Sequence, residues 1–288
     1  MSDHDSSSGA MQGKGAEMSE TSKSSSSVEP GPGVAAPKTA EKLRDQDSWG
    51  EFIKTIIYAL LIAGVIRTFL YQPFNIPSGS MENTLLIGDY LFVSKMSYGY
   101  SRYSFPFGLG PFSGRILAKE PQRGDVVVFK MPNSASPDYH KDYIKRLIGL
   151  PGDRIQMKEG QLYLNGKAVA DQRVADYVED LGGGYKNNVA RYRETLPNGV
   201  SYYILDRTPV GNLDNTGVFV VPKGYYFMMG DNRDNSDDSR ADVGYVPFDN
   251  LVGKAQIVFF SVDDSAHIWE IWKWPLAIRY GRFGELIH

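Results

Sequence analysis

The chain has 288 residues, 42% of them apolar and 12% aromatic, with a formal net charge of -3. That apolar share suffices for the packed core of one large domain or two small ones, and the mild acidity excludes the broad basic surface a nucleic-acid binder needs. Cysteine is absent, which excludes disulfides, thiol catalysis and cysteine-ligated metal.

Residues 1–50 are rich in Ser, Gly, Pro, Glu and Lys. Such a segment buries too little apolar surface to offset its ordering entropy, so a disordered tail is expected. From Phe52 to Tyr71 the chain reads FIKTIIYALLIAGVIRTFLY. This predicts one transmembrane helix over 51–71, with Lys54 and Arg67 near opposite interfaces and their stems snorkelling. Lys38, Lys42 and Arg44 precede the run, and no Lys or Arg occurs from Gln72 to Ser94. The positive-inside rule then puts the N-terminus in the cytoplasm and the rest outside, which is the periplasm if the cell is Gram-negative.

Beyond the span the pattern is that of strands. Apolar runs at Asp89–Val93, Asp125–Phe129, Asp142–Leu150, Tyr225–Met229 and Gln256–Val262 carry no helical period. Pro151-Gly152-Asp153 stops one of them, and Asn165-Gly166 marks a hairpin turn within 162–169. Residues 97–113 read as an aromatic loop suited to lipid headgroups. The tail from Ile268 to Ile287, with Trp269, Trp272, Trp274, Lys273, Arg279 and Arg282, fits either a membrane interface or a terminal helix packed on the sheet.

Three polar clusters interrupt this apolar pattern: Ser78-Gly79-Ser80, Lys145 within DYIKRL, and the run GDNRDNSDDSR from Gly230 to Arg240. Read singly, each is bland. Ser80 is a turn serine. Lys145 is a solvated strand lysine, because alternation puts it with Tyr143 and Leu147 on one face and Arg146 with Ile144 and Ile148 on the other. The acidic run fails as a calcium loop, since Arg233 and Ser236 fall where an EF-hand needs a ligand and a glycine. Together they compose one mechanism. A serine hydroxyl needs a base. The four histidines, His4, His140, His267 and His288, make no H-x-x-x-H pattern and supply no suitable triad member. A lysine serves if burial lowers its pKa from ~10.4 by about 2–3 units. Tyr143, Ile144 and Leu147 would provide that burial, and the Ser236 hydroxyl would aim the amine. The Ser80 backbone N–H and the Ser78 hydroxyl would receive the oxyanion.

SGSMENTL (78–85), GDYLFVSK (88–95), RGDVVVFK (123–130), YIKRLIGLPGD (143–153) and GDNRDNSDDSR followed by GYVP (230–247) resemble, in order, the sequence boxes of bacterial type I signal peptidases. The resemblance covers about residues 50–262 and implies a serine endopeptidase with a Ser-Lys dyad that cuts signal peptides from exported preproteins after small residues at -3 and -1. By position, Ser80 resembles the nucleophile and Lys145 the general base. Ser78 resembles the oxyanion serine, Ser236 the lysine-orienting serine, and Asp238 and Arg240 a structural ion pair. Phe74, Ile76, Met81, Leu85, Tyr143 and Ile144 resemble the walls of the substrate pockets. The implied architecture is mostly β. An antiparallel catalytic domain (72–154 and 221–265) carries an inserted β subdomain (155–220), behind one membrane helix and followed by an aromatic and basic segment (266–288). The expected setting is a single-pass protein of the cell inner membrane that works as a monomer. It would meet preproteins and membrane lipids, without nucleic acid, metal or cofactor. One position departs from the pattern: Asn83 stands where many members have proline, whose loss would loosen the turn after the nucleophile. A self-cleaving Ser-Lys repressor and a catalytically dead membrane-tethered scaffold are the alternatives. The membrane span argues against the first, and the joint presence of Ser80, Lys145 and Ser236 against the second.

Overall fold

The computed structural model describes residues 38–105, 108, 110, 112–180, 185–263 and 272–288. The chain divides into two compact units, one up to Lys54 and one from Thr55 onward. Helix α1 runs Lys38–Phe69. The expected disorder over 1–50 is therefore corrected from Lys38 on, where Ala40, Glu41, Lys42, Leu43 and Arg44 are good helix formers in continuous series with the apolar run. Residues 1–37 lie outside the described residues. Within α1, Trp49–Phe69 is 21 residues long, apolar enough to cross a membrane, and unburied by protein. At ~1.5 Å per residue that length matches a hydrocarbon core of ~30 Å. The helix stops two residues earlier than expected. The Tyr100 hydroxyl donates to the Phe69 carbonyl at 2.8 Å and the Lys95 N–H to the Leu70 carbonyl at 3.1 Å, which satisfies C-terminal acceptors and turns the chain into a strand.

Four strands follow: β1 (Tyr71–Asn75), β2 (Asp89–Ser94), β3 (Val126–Lys130) and β4 (Asp142–Gly149). Next come β5 (Arg154–Lys158), β6 (Gln161–Leu164), β7 (Lys167–Ala168), β8 (Ala170–Arg173), β9 (Tyr177–Asp180), β10 (Lys186–Thr195), β11 (Ser201–Asp206) and β12 (Phe219–Val220). The chain then returns through β13 (Tyr225–Met229), β14 (Val246–Pro247), β15 (Leu251–Ser261), the one-turn helix α2 (Trp274–Ala277) and β16 (Glu285–Leu286).

The main sheet is antiparallel, in the order β1-β2-β15-β3-β4-β13-β14, with β16 beside β15. Register shifts along β15, at Leu251/Gly253, Ala255/Ile257 and Val258/Phe260, are bulges that bend this long central strand. Strands β5–β12 form two smaller sheets. One apolar cluster, including Ile148, Ile155, Leu162, Tyr202, Ile204 and Phe227, joins them to the ends of β4 and β13. The Asn165-Gly166 turn links β6 to β7 with φ of 53° and 79°, the doubly positive geometry of a type I′ hairpin turn.

Two sequence expectations about aromatics change. Tyr98 and Tyr103 of the 97–113 loop are buried in the core rather than free for lipid. In the terminal segment, Glu285–Leu286 pairs with β15, Ile287 enters the core and Arg282 grips Asp89, so its last part packs on the sheet. Trp269 lies outside the described residues, and Trp272 is exposed.

Candidate active site

The loop from Ile76 to Gly88 projects off β1, and a single 3₁₀ turn at Gly79–Met81 carries Ser80. Its core side is anchored by Ile76, Met81 and Leu85, packed with Leu91, Val93 and Ile144. Its other side is laced to the 230–240 run. The Asn232 N–H donates to the Ser80 carbonyl at 3.1 Å, and its side-chain amide to the Gly79 carbonyl at 3.0 Å. A Cβ on Gly230 would stand 2.2 Å from Ser236 Oγ and 2.6 Å from the Ser80 carbonyl oxygen, so this approach needs glycine.

Lys145 reaches the same point from β4. Its Nζ lies 2.6 Å from Ser80 Oγ and 5.4 Å from the centre of the Tyr143 ring. The solvated-lysine reading is overturned: β4 is buried on both faces from Ile144 to Gly149, and Lys145 is 3% exposed. Burial pushes its ammonium down to about 8, although the carboxylates of Asp238, Asp237 and Asp231 pull the other way. Its neighbour Arg146 is also buried but fully partnered. It makes a bidentate pair with Asp231 at 2.8 and 2.7 Å, donates to the carbonyls of Gly124 and His288, and lies over the Tyr202 ring. Thr84 Oγ1 donates to the same Asp231 at 2.6 Å, so the strand bearing the lysine and the loop bearing the serine share one buried carboxylate.

A pocket of about 490 Å³ opens over Ser80 and Lys145. It is lined by Phe74, Ile76, Tyr143 and Ile144, with Ser78 at its edge. Met81 and Leu85, expected as pocket walls, are instead fully buried and absent from the lining; both turn inward from the 3₁₀ turn and support Ile76 and Ile144 from the core. Ser78 is exposed, with Oγ 3.5 Å from Ser80 Oγ. Among the described residues Ser236 Oγ, which is buried, has no hydrogen-bond partner, so the expected bond to the lysine is not formed here. Asp238 and Arg240 form a buried bidentate pair at 2.9 and 2.8 Å, and Asp238 also accepts from the Gly230 N–H at 3.0 Å. β13 pairs with β4 over Arg146–Gly149, so among the described residues Asp142–Lys145 is paired on the β3 side alone, with these residues lining the pocket.

Sequence reasoning missed the supports: Asn232, Asp231, Arg146, and a bridge from the β5–β12 region. Arg207 donates to Glu82 at 2.9 Å and to both oxygens of Glu179, and Tyr177 donates to Glu82 at 3.3 Å. Glu82 follows the nucleophile by two residues, and only its charge hinted at a distant cation. Among the described residues, no cluster of His, Asp and Glu suits a metal ion.

The family described as "Signal peptidase, peptidase S26" matches residues 49–260. Signal peptidase I of Rickettsia conorii (strain ATCC VR-613 / Malish 7) is 46% identical over 224 residues, 75% of this chain and 80% of its own. Signal peptidase I of Rickettsia typhi (strain ATCC VR-144 / Wilmington) is 46% identical over 212 residues, 71% and 77% of the two chains. A crystal structure of a signal peptidase I from Enterococcus faecalis V583 aligns with 47% of this chain and 97% of its own at 27% identity and a TM-score of 0.27, an overlap too slight to bear on the fold. On the family match and the identity to the rickettsial enzymes, the chain belongs to the signal peptidase I family of S26 peptidases.

Proposed function

We propose that the chain is a membrane-anchored serine endopeptidase that removes N-terminal signal peptides from exported preproteins, with Ser80 as nucleophile and Lys145 as general base. The observation that carries the reading is the 2.6 Å approach of Lys145 Nζ to Ser80 Oγ at the floor of an open, apolar-walled pocket. With the amine neutral, the Ser80 hydroxyl donates to Nζ as Oγ attacks the scissile carbonyl. The oxyanion meets the Ser80 backbone N–H and the Ser78 hydroxyl at the pocket edge. The Lys145 ammonium then returns its proton to the leaving amine, and a water deprotonated by Lys145 hydrolyses the acyl-enzyme.

The unpartnered, buried Ser236 hydroxyl has its bonding capacity free to orient the lysine amine. The Asp238–Arg240 pair braces the loop that presents it. The free edge of Asp142–Lys145 suits an extended substrate added as a strand, with small -3 and -1 side chains against Phe74, Ile76, Tyr143 and Ile144. Met81 and Leu85 act on those pockets only through the core. The basic residues before the span support a cytoplasmic N-terminus and a catalytic domain on the periplasmic face of the inner membrane. Anchoring confines enzyme and substrate to one thin layer, which raises their effective concentration.

The test is cleavage of a preprotein by the purified full chain, with sequencing of the new N-terminus. Ser80→Ala and Lys145→Ala should each lower the rate on the order of 10³-fold or more while circular dichroism is unchanged. Full activity in Lys145→Ala would remove the dyad.

A further inference from the structure

A second cavity, of about 620 Å³, opens where α1 gives way to β1. Its walls carry Arg67, Lys95 and Lys130, with Tyr103 and His140, against a single carboxylate, Asp142. Asp142 is already taken by Lys130 at 2.9 Å. Lys95 is 2% exposed, and its ammonium donates to the Ser104 carbonyl at 2.5 Å. Among the described residues no carboxylate is in ion-pair contact with it. An ammonium has three donors, and burying a cation without a direct ion-pair partner is costly. Burial, then the nearby Arg67 charge, push Lys95 down to about 8, with the Asp142 carboxylate offsetting them only in part. None of this serves catalysis, because Lys95 is not in the lining of the Ser80 pocket. An anion in the cavity would balance Arg67 and Lys95 at once.

The location says which anion. Arg67 sits in the last turn of α1, the end of the membrane-length segment. Lys95 is tied to that end through the Leu70 carbonyl. Phe69 makes edge contacts with Tyr100 and Phe105, and Phe105 with Phe112, an aromatic cluster of the kind that collects at headgroup level. With Trp49–Phe69 spanning the hydrocarbon, Arg67 lies ~3 Å inside its edge, close enough for its guanidinium to snorkel into the polar zone that adds ~5–8 Å beyond, where the chain continues into β1. A soluble anion would not need a site hung on the membrane helix.

We propose that this cavity binds the phosphate of an anionic phospholipid headgroup, held by Arg67, Lys95 and Lys130, and so fixes the catalytic domain at the membrane surface. The site rests on α1 crossing the membrane. A zwitterionic choline headgroup brings its own cation against three others and is disfavoured, so the site discriminates by net charge as well as by phosphate.

The experiment is native mass spectrometry of the full-length chain in detergent, titrated with dioleoyl phosphatidylglycerol, dioleoyl phosphatidylcholine or inorganic phosphate. Phosphatidylglycerol should bind tighter than phosphatidylcholine, by about fivefold for each cation that engages it. Arg67→Gln with Lys130→Gln should abolish that preference, and so should Lys95→Met, with preprotein cleavage in detergent verifying that each variant is folded. Lys186→Gln with Lys223→Gln, which removes the same charge from two exposed positions outside the cavity, should leave the preference intact. Equal binding of the two lipids, equal loss in the Lys186/Lys223 control, or retention of inorganic phosphate without lipid would overturn the headgroup site. Flotation of the wild-type chain with vesicles separates the premises: a chain that floats without lipid preference refutes the site alone, whereas one that fails to float refutes the membrane reading as well.

Discussion

Lys145 and Arg146 are adjacent on β4, equally buried, and opposite in circumstance. Arg146 spends its donors on Asp231 and two backbone carbonyls, so its charge is neutralised where it lies. Among the described residues Lys145 hydrogen-bonds only the Ser80 hydroxyl, and burial drives it to about 8 against the pull of the nearby carboxylates. Below pH 8 the folded protein holds an ammonium that unfolding would release to water. This penalty is present in full at neutral pH and is relieved as pH rises from about 8 toward the ordinary lysine value of 10.5. Lys145→Met, close in volume and without charge, should therefore raise stability at pH 7 by roughly 1–3 kcal/mol, with the gain shrinking at pH 10, as denaturant unfolding at the two pH values would report. Strand alternation correctly separated these two residues onto opposite faces. It could not say that both faces are covered, because what covers them comes from β3, β13 and the 230–240 run. Gly230 is a second single-residue constraint. Gly230→Ala should lower kcat by about 10–100-fold with the fold kept, since the added Cβ displaces either Ser236 or the Ser80 carbonyl; wild-type kcat in that variant would mean the approach is not needed.

Among the elements, the turn after the nucleophile differs most from expectation. Asn83 has a φ of 80°, which proline, locked near -65°, cannot adopt. The turn is thus not a loosened version of a proline turn but one closed differently. Asparagine tolerates the left-handed region better than other side chains, and its Oδ1 accepts from Arg191 at 3.3 Å. Asn83→Pro should cost about 2–3 kcal/mol in stability and much of the activity, while Asn83→Gly should be close to neutral in both. Thermal unfolding and cleavage rates of the two variants check this, and an active, stable Asn83→Pro would contradict it. The β6–β7 hairpin, by contrast, was legible, because Asn165-Gly166 specifies its turn through local backbone preference alone. The start of α1 was not: Ser- and Pro-rich composition upstream masked the helix formers from Lys38 on. In the terminal segment Trp and Arg were equally consistent with lipid and with a sheet edge, and only the pairing of β16 with β15 decides its last part.

At the scale of the molecule, the site is assembled by long-range contacts. Ser80 and Lys145 meet from 65 positions apart, and Arg207 reaches Glu82 across 125. No period or local propensity encodes such pairs. The motifs were readable as an ordered set, which is why the serine and the lysine could be named together, whereas the network around them could not. Arg146–Asp231–Thr84, Asn232 and Arg207–Glu82 act as struts between β4, the nucleophile loop and the β5–β12 region, so the dyad is held from three sides by a scaffold built around it. That arrangement supports a base kept dry and immobile while its pocket stays open to an extended chain. The most direct test is the pH dependence of kcat/KM for preprotein cleavage. Because Lys145 must be neutral to act, activity should rise with pH along a limb with a midpoint near 8, following the lowered pKa of the buried amine. A profile still climbing through pH ~10, where an ordinary lysine titrates, or one already flat above the histidine range near pH ~6.5, would contradict a buried lysine base.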